Sequence, residues 1–344
     1  MAIQRLQKVT IKDIARMCNV STQTVSRVIN KRPDVSPDTR EAIERAIAEM
    51  GYQPSALARS LVQQRSYTLG VIIAGLKYIG VSQTLNGITE QCEASGYALL
   101  IKELPSFDTP DIVPVIEALI AHHVEGIIFA APELNENVKI AQAQLPTFCP
   151  PIIFLKCLAT PDYTTVSVDN YGGARRAVEY LLSCGRRKIG LITGPLEWVE
   201  ARQRKQGWED VLKDAGDARF EQHWTLGNWS PASGESAFAE LIQKYPEMDA
   251  IFVSNDQMAL GVLHYACAHS IRVPQDLAVI GFDNLAESAY FSPSLTTITH
   301  PLRELGILAV KTILAQIDGV DSRDIGKALV LKTELLVRES TPQA

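Results

Sequence analysis

Thr22, Gln23, Ser26 and Arg27 fall on one side of TQTVSRVIN, residues 22–30, when that stretch is wound as a helix, and Val25, Val28 and Ile29 fall on the other. An amide, a guanidinium and short hydroxyls near a helix N-terminus suit one task well. Gln pairs with adenine edges, Arg with guanine or phosphate, and Ser and Thr with phosphate oxygens. A second set of chemically capable residues lies far downstream. Arg202, Asn255 and Asp283 follow apolar runs in ITGPLEWVEAR (192–202), VSNDQMALG (253–261) and VIGFDN (279–284). A guanidinium, an amide and a carboxylate converging on one cleft can bind the vicinal hydroxyls of a sugar. Trp229, in GNWSPASG (227–234), offers a flat apolar face suited to stacking on a pyranose.

The elements that must hold the first set are short. Ile11, Ile14, Ala15 and Cys18 keep the spacing of one apolar helix stripe, with Thr10 as its N-cap and Asp13 completing a capping-box start. Asn19 tolerates a left-handed turn, and Ser21 can cap the second helix. Ser36 caps a third, Asp38–Met50, whose stripe is Ile43, Ala46, Ile47 and Met50, and Gly51 ends it. Three such helices can enclose one small core. The following SALARSLVQQRS (55–66) is compatible with helix but has little to pack against.

From Leu69 onward, apolar runs of strand type alternate with helical ones. The predicted strands are 69–74, 97–102, 126–130 and 151–156, then 188–194, 249–255 and 277–283. Helical stretches near 82–95, 111–121, 135–143, 171–184, 198–214, 231–244 and 256–269 separate them. Continuous apolar strands alternating with helices predict parallel sheets covered on both faces, here as two doubly wound halves. Ligands of such sheets bind beyond the carboxyl ends of the strands, which means the cleft between the halves.

Composition narrows the classes. At 344 residues the chain exceeds one ordinary core, and its 46% hydrophobic and 21% charged content is that of a soluble protein. Residues 1–66 carry 11 Lys+Arg against 6 Asp+Glu, a net of +5, on a chain whose overall net charge is −6. A basic first fifth on an acidic body suits a nucleic-acid module carried by something with another task. No 18-residue apolar run exists and MAIQRLQ lacks the apolar region of a signal peptide, so a cytoplasmic protein with no membrane association is expected. The six cysteines never fall at CxxC spacing, so neither metal nor disulfide use is expected and they read as free thiols; no cofactor is expected either. GxSxG, GxxxxGK[ST] and a strand-following GxGxxG are all absent, which argues against an α/β enzyme. The basic helical leader argues against an exported sugar-binding protein with the same body.

VTIKDIARMCNVSTQTVSRVIN, then VSPDTR, GYQPSALARSL and LGVI, resembles the start of lactose/galactose-type repressors, and the match runs over roughly residues 8 to 338. The resemblance implies an α/β chain: a small all-helical helix-turn-helix domain (8–54), a hinge helix and linker (55–66), and a two-subdomain, periplasmic-binding-protein-like core for effector binding and dimerisation (67–344). It implies a ligand-controlled homodimer on palindromic operator DNA, with a small sugar, a galactoside or glucoside, as effector. The alternative is the same build as an activator or dual regulator with a nucleobase or other small effector. The expected DNA-contacting set adds Thr10, Ser21, Thr24 and Asn30 to the helix face above, and Ser55, Ala58 and Leu61 in the hinge. A leucine at the position of Leu61 wedges into the minor groove in the family. Arg202, Asn255 and Asp283 match positions that hold effector hydroxyls, and Trp229 a ring-stacking position. Trp198, His300 and Leu302 match other pocket positions, and Asp169 lies in a segment that borders the cleft in relatives. Three departures stand out: Asn19 where the turn usually has glycine, Trp198 where the lactose-type branch has a small residue, and Leu302 where the lactose repressor has an aromatic.

Overall fold

The computed structural model describes residues 9–29, 32–52, 65–107, 109–134, 137–143, 145–217, 220–319 and 327–343. Asn30, Ser55, Ala58 and Leu61 lie outside the described residues. The chain divides into two compact units, Met1–Tyr67 and Thr68–Ala344.

In the first unit, α1 (Ile11–Met17), α2 (Thr22–Ile29) and α3 (Pro37–Met50) close around Ile14, Ala15, Val25, Val28, Ile43 and Ala46. These are residues of the predicted stripes, brought together because each helix alone is too short to bury its apolar face. The helix ends are held as their sequences require. The Thr10 backbone N–H and hydroxyl both donate to Asp13 Oδ2, at 3.0 and 2.7 Å. Ser21 Oγ accepts from the Thr24 N–H at 3.0 Å, and Ser36 Oγ accepts from the Thr39 N–H at 3.4 Å. Asn19 takes φ +52° between α1 and α2, the left-handed conformation expected of it.

The second unit holds two six-stranded sheets. Its elements are β1 (Thr68–Ala74), α4 (Ile79–Ala94), β2 (Ala98–Leu104), α5 (Val113–Ala121), β3 (Gly126–Phe129), α6 (Asn137–Ala143), β4 (Ile152–Leu155), β5 (Thr164–Val168), α7 (Asn170–Ser183), β6 (Ile189–Thr193), α8 (Val199–Asp214), β7 (Trp224–Leu226), α9 (Pro231–Lys244), β8 (Ala250–Val253), α10 (Asp256–Ala268), β9 (Ala278–Asp283), β10 (Thr296–Thr299), α11 (Leu302–Ile317), β11 (Ala328–Leu331) and β12 (Leu335–Leu336). The first sheet runs β11-β5-β4-β3-β1-β2, parallel throughout; the second runs β12-β10-β9-β8-β6-β7, parallel except for β12 against β10. Strands alternate their side chains between two buried layers. In the second sheet Phe252, Ile280 and Phe282 pack with Trp208 on one face, while Ile251, Val253 and Val279 pack with Phe238 on the other. Burying each such phenylalanine is worth roughly 1.5–3 kcal/mol relative to exposure.

The chain passes between the sheets three times, after β5, after β10 and after β11. This departs from the simple two-set reading, because α11 covers the first sheet and β11 extends it although both follow the whole second set. β5 (TTVSV) and β10 (TTIT) are not among the predicted strands, because their threonines read as polar. Inside, the hydroxyls are matched: Thr297 Oγ1 donates to Asp256 Oδ1 at 2.6 Å, and Gln316 Nε2 donates to Thr164 Oγ1 at 2.9 Å.

Asn19→Val should cost about 1–2 kcal/mol, because a β-branched residue resists the left-handed conformation, whereas Asn19→Gly should be nearly neutral. Amide exchange of α1 and α2 in the full chain measures this. Protection should fall roughly 5- to 30-fold for valine; unchanged protection would show that the turn does not constrain residue 19.

Candidate functional site

Two candidate sites stand in separate units. On the first unit, Ser21, Thr22, Gln23 and Arg27 are exposed, while Thr24 and Ser26 are half-buried. They sit there because Val25 and Val28 face the core, which turns the polar positions of the same helix outward. Arg27 is held by Asp34, Nη1 to Oδ2 at 3.4 Å, in an exposed pair. Such a pair is screened and exchangeable, so the guanidinium is available to a phosphate or base edge. Ser21 caps α2 through its hydroxyl, and Thr10 stands at the start of α1 with its N–H and hydroxyl donating to the Asp13 carboxylate.

The second site is a cleft at the carboxyl ends of both sheets, about 560 Å³ with its open mouth included. It is lined from the first half by Tyr78, Gly80, Pro132 and Lys156, and from the second by Trp198, Glu200, Arg204, Trp229, Asn255, Asp283 and His300, among others. Strand direction explains the gathering: β1, β3, β4, β6, β8, β9 and β10 all end there, and their following residues supply the walls. Three of the lining residues, Lys156 (φ +56°), Trp229 (φ +72°) and Asp283 (φ +116°), hold backbone conformations that L residues avoid. Each costs about 1–3 kcal/mol, and such strain collects where side chains must be aimed.

A buried guanidinium organises the floor. Arg204 is 3% exposed; its Nε donates to Asn170 Oδ1 at 2.9 Å and its Nη1 to the Ser254 carbonyl at 2.5 Å. Its Nη1 lies 3.7 Å from Asp283 Oδ1, and its Cζ lies 3.7 Å from the centre of the Phe282 ring. Asp283 Oδ1 is also 3.0 Å from His300 Nδ1. Burial pushes the His300 imidazole down to about 4, against the opposing effect of the Asp283 hydrogen bond. The ring is therefore neutral at pH 7, with Nδ1–H donating to Asp283 and Nε2 left as an acceptor. Glu200 is raised by burial, an effect that Lys156 opposes, and Lys156 is lowered by burial while Glu200 opposes. Below the floor, Asp256 is raised to about 7 by burial and by the Asp283 charge.

Aromatic rings form one wall. Trp198 lies 4.9 Å from Phe107, 6.1 Å from Tyr78 and 5.8 Å from Trp229, with interplanar angles of 62°, 56° and 68°.

The structure brings together Trp198, Trp229, Asn255, Asp283 and His300 as the sequence expected. Asn255 is also a helix cap, since its Oδ1 accepts from the Met258 N–H at 2.8 Å and its Nδ2 donates to the Trp229 carbonyl at 3.0 Å. Three expected residues are placed elsewhere. Arg202 is exposed and donates to the carbonyls of Leu196 and Glu197, both at 2.8 Å. Asp169 caps α7 through the Gly172 N–H at 2.8 Å and lies 3.6 Å from Arg176, at a crossing between the sheets. Leu302 is buried behind Gly80, where a Cβ would meet its Cδ1 at 3.7 Å. Sequence reasoning missed Lys156, Glu200 and Arg204. For two of them the signal was present: Glu200 and Arg204 share the stripe of Trp208 and Val211, which the exposed Arg202 does not.

Among the described residues, no group of His, Cys, Asp and Glu could hold a metal ion, and no helix is long and apolar enough to cross a membrane. A family profile described as "Bacterial regulatory proteins, lacI family" matches residues 10–55, and one described as "Periplasmic binding protein-like domain" matches residues 178–341. The HTH-type transcriptional repressor PurR of Klebsiella pneumoniae (strain 342) is 32% identical over 96% of this chain and 96% of its own. The ribose operon repressor of Escherichia coli (strain K12) is 32% identical over 90% of this chain and 93% of its own. The crystal structure of the lac repressor dimer bound to operator and the anti-inducer ONPF matches with a TM-score of 0.84 at 29% identity, covering 97% of this chain and 99% of that one. A transcriptional regulator CelR–cellobiose complex matches with a TM-score of 0.70 at 28% identity, covering 97% and 100%.

The neutral His300 makes stability depend on pH. Its contribution is fully present above about pH 6.5 and is lost as pH falls towards about 4, since the unfolded imidazole takes up a proton that the folded one refuses. Asp256 opposes this, because its raised value makes the fold gain stability as pH falls from about 7 towards 4. Replacing His300 by Gln isolates the first effect. Urea midpoints followed by tryptophan fluorescence should fall less between pH 6.5 and 4.5 in His300→Gln than in the parent, and equal slopes would refute the buried neutral imidazole.

Proposed function

This chain belongs to the lacI family of bacterial regulatory proteins, and on that premise we propose a repressor whose grip on its operator is set by a small uncharged sugar in the cleft of the second unit. The chain is a DNA-binding transcriptional repressor and not an enzyme. The finer reading assigns residues 8–54 to DNA binding, 55–66 to a hinge and linker, and 67–344 to effector binding and dimerisation. One helix-turn-helix makes too few base contacts for operator specificity, so a homodimer on a palindromic site doubles them. In this reading Gln23 and Arg27 meet base edges and phosphates, and Leu61 acts in the hinge.

The cleft's charge balance carries the choice of ligand. Lys156 and Arg204 oppose Glu200 and Asp283 around a neutral His300. A ligand with no net charge fits that balance. Hydroxyls both donate and accept, as a floor of carboxylate, imidazole and ammonium demands. The rings of Trp198, Phe107, Tyr78 and Trp229 pack on one another edge-on or tilted as a single wall, and a pyranose has an apolar face that one such wall can meet. A galactoside or glucoside is the class favoured, and titration against nucleobases is the competing arm.

Gln23→Ala should cost about 1–3 kcal/mol in operator binding and relax base preference at one position per half-site. A gel shift showing unchanged affinity and preference would remove α2 from the groove. For the effector, calorimetry of the full chain against D-galactose, D-glucose, methyl β-D-galactoside, lactose, cellobiose, adenine, guanine and hypoxanthine decides the class. A sugar should bind, and Asp283→Asn should weaken it by roughly 1.5–3 kcal/mol, about ten- to hundredfold, while Arg202→Ala stays within about twofold. Binding of a nucleobase and no sugar overturns the assignment.

A further inference from the structure

The cleft contains hydrogen-bonding capacity that the protein leaves unused. Glu200 is 7% exposed and lines the cavity, yet its Oε2 has no hydrogen-bond partner among the described residues. The Trp229 Nε1–H, in the same cavity, also lacks one. Lys156 Nζ donates to the Gly80 carbonyl at 2.9 Å, which occupies one of its three protons. Arg204, one turn along α8 from Glu200, turns its guanidinium to Asn170, Ser254, Asp283 and His300 and makes no hydrogen bond to that Oε2. A buried carboxylate oxygen left bare destabilises the empty protein.

We propose that Glu200, facing Lys156 of the other half, is a specificity-determining residue that selects an uncharged polyol over its phosphorylated or carboxylated form. The proposal rests on the sugar reading of the cleft and names the class of sugar that it admits. A hydroxyl donates its proton to Glu200 Oε2 while its oxygen accepts a spare proton of Lys156, so one group serves both sides of the pair. A phosphate dianion or a carboxylate only accepts. It leaves Oε2 bare and adds a like charge beside it. An ammonium group donates to Glu200 but meets Lys156 and Arg204. The sensed molecule is thus a sugar before phosphoryl transfer, and a reaction that phosphorylates it removes the signal.

The test uses the full-length chain, parent and the variants Glu200→Gln and Glu200→Leu. Calorimetry compares D-glucose, D-galactose, methyl β-D-galactoside and cellobiose with D-glucose 1-phosphate, D-glucose 6-phosphate and D-galactose 6-phosphate. The parent should bind at least one neutral sugar at least about tenfold more tightly than any phosphate, and Glu200→Gln should lose at least about tenfold of that affinity and narrow the preference, as expected for a charge-assisted bond. Without ligand, Glu200→Leu should melt higher than the parent, because a bare buried carboxylate has been removed. A lower melting temperature would make Glu200 a structural group and overturn its role. So would a phosphate that binds as tightly as its parent sugar, or unchanged affinity in Glu200→Gln. Failure of every sugar to bind the parent chain overturns the sugar reading itself, and the polyol selectivity with it.

Discussion

The Arg204 guanidinium is the interaction on which the cleft depends. A cation this deeply buried is tolerated only when its donors are met and an anion stands close. Its four partners come from three places: Asn170 at the start of α7, the Ser254 carbonyl after β8, and the end of β9, which supplies both Asp283 and the Phe282 ring. His300, after β10, completes the set through Asp283. These groups are distant in sequence, so one side chain fixes the relative positions of several strand ends. The left-handed backbone of Asp283 follows, since its carboxylate must turn back towards the guanidinium while holding the imidazole. The floor is organised before any ligand arrives, and preorganisation reduces the entropy cost of binding.

Between the two sheets the chain crosses three times, and the crossings are tied to each other. The Asp169 N–H donates to the Leu331 carbonyl at 2.9 Å, and Arg176 Nη1 donates to Thr333 Oγ1 at 2.8 Å. The displacement of Asp169 from the cleft therefore has a physical sense: its carboxylate caps α7 and steadies Arg176 where chain segments pass from one half to the other. A few crossing strands allow two packed layers to shift as bodies, which is the general means by which a ligand between two halves changes their relation. The aromatic wall adds a contact across the same gap, since Trp198 of the second half meets Tyr78 and Phe107 of the first.

The periodicity of apolar residues was enough to place most helices and strands, because a stripe at 3.6 or a continuous apolar run reports directly which residues must leave water. The core of the first unit, Ile14, Val25, Val28 and Ile43 among others, could be read this way. So could the alternation of strand and helix from Leu69 onward. The strands β5 and β10 could not, because threonine looks polar until a partner such as Asp256 or Gln316 satisfies its hydroxyl inside. β11 and α11 were hidden for a different reason. Their place in the first sheet is a matter of long-range topology, and no local pattern encodes which sheet a late strand joins.

By itself the sequence determined the kind of molecule: a basic helical unit with a polar recognition face, an acidic α/β body, and strand ends carrying Asn255, Asp283 and Trp229. These follow from spacing, charge and side-chain chemistry, which are local properties. Helix phase already separated the two arginines that could enter the cleft, and the tertiary structure decided that the buried phase is the one that faces it. Arg202 and Arg204 are two residues apart on one helix, nearly opposite in phase, and only Arg204 lies on the buried face with Glu200 and Trp208. It also decided that Lys156 and Glu200 face a common cavity from different sheets. Such meetings depend on where separate layers stack, and stacking is set by the summed packing of the whole unit, which no short segment contains.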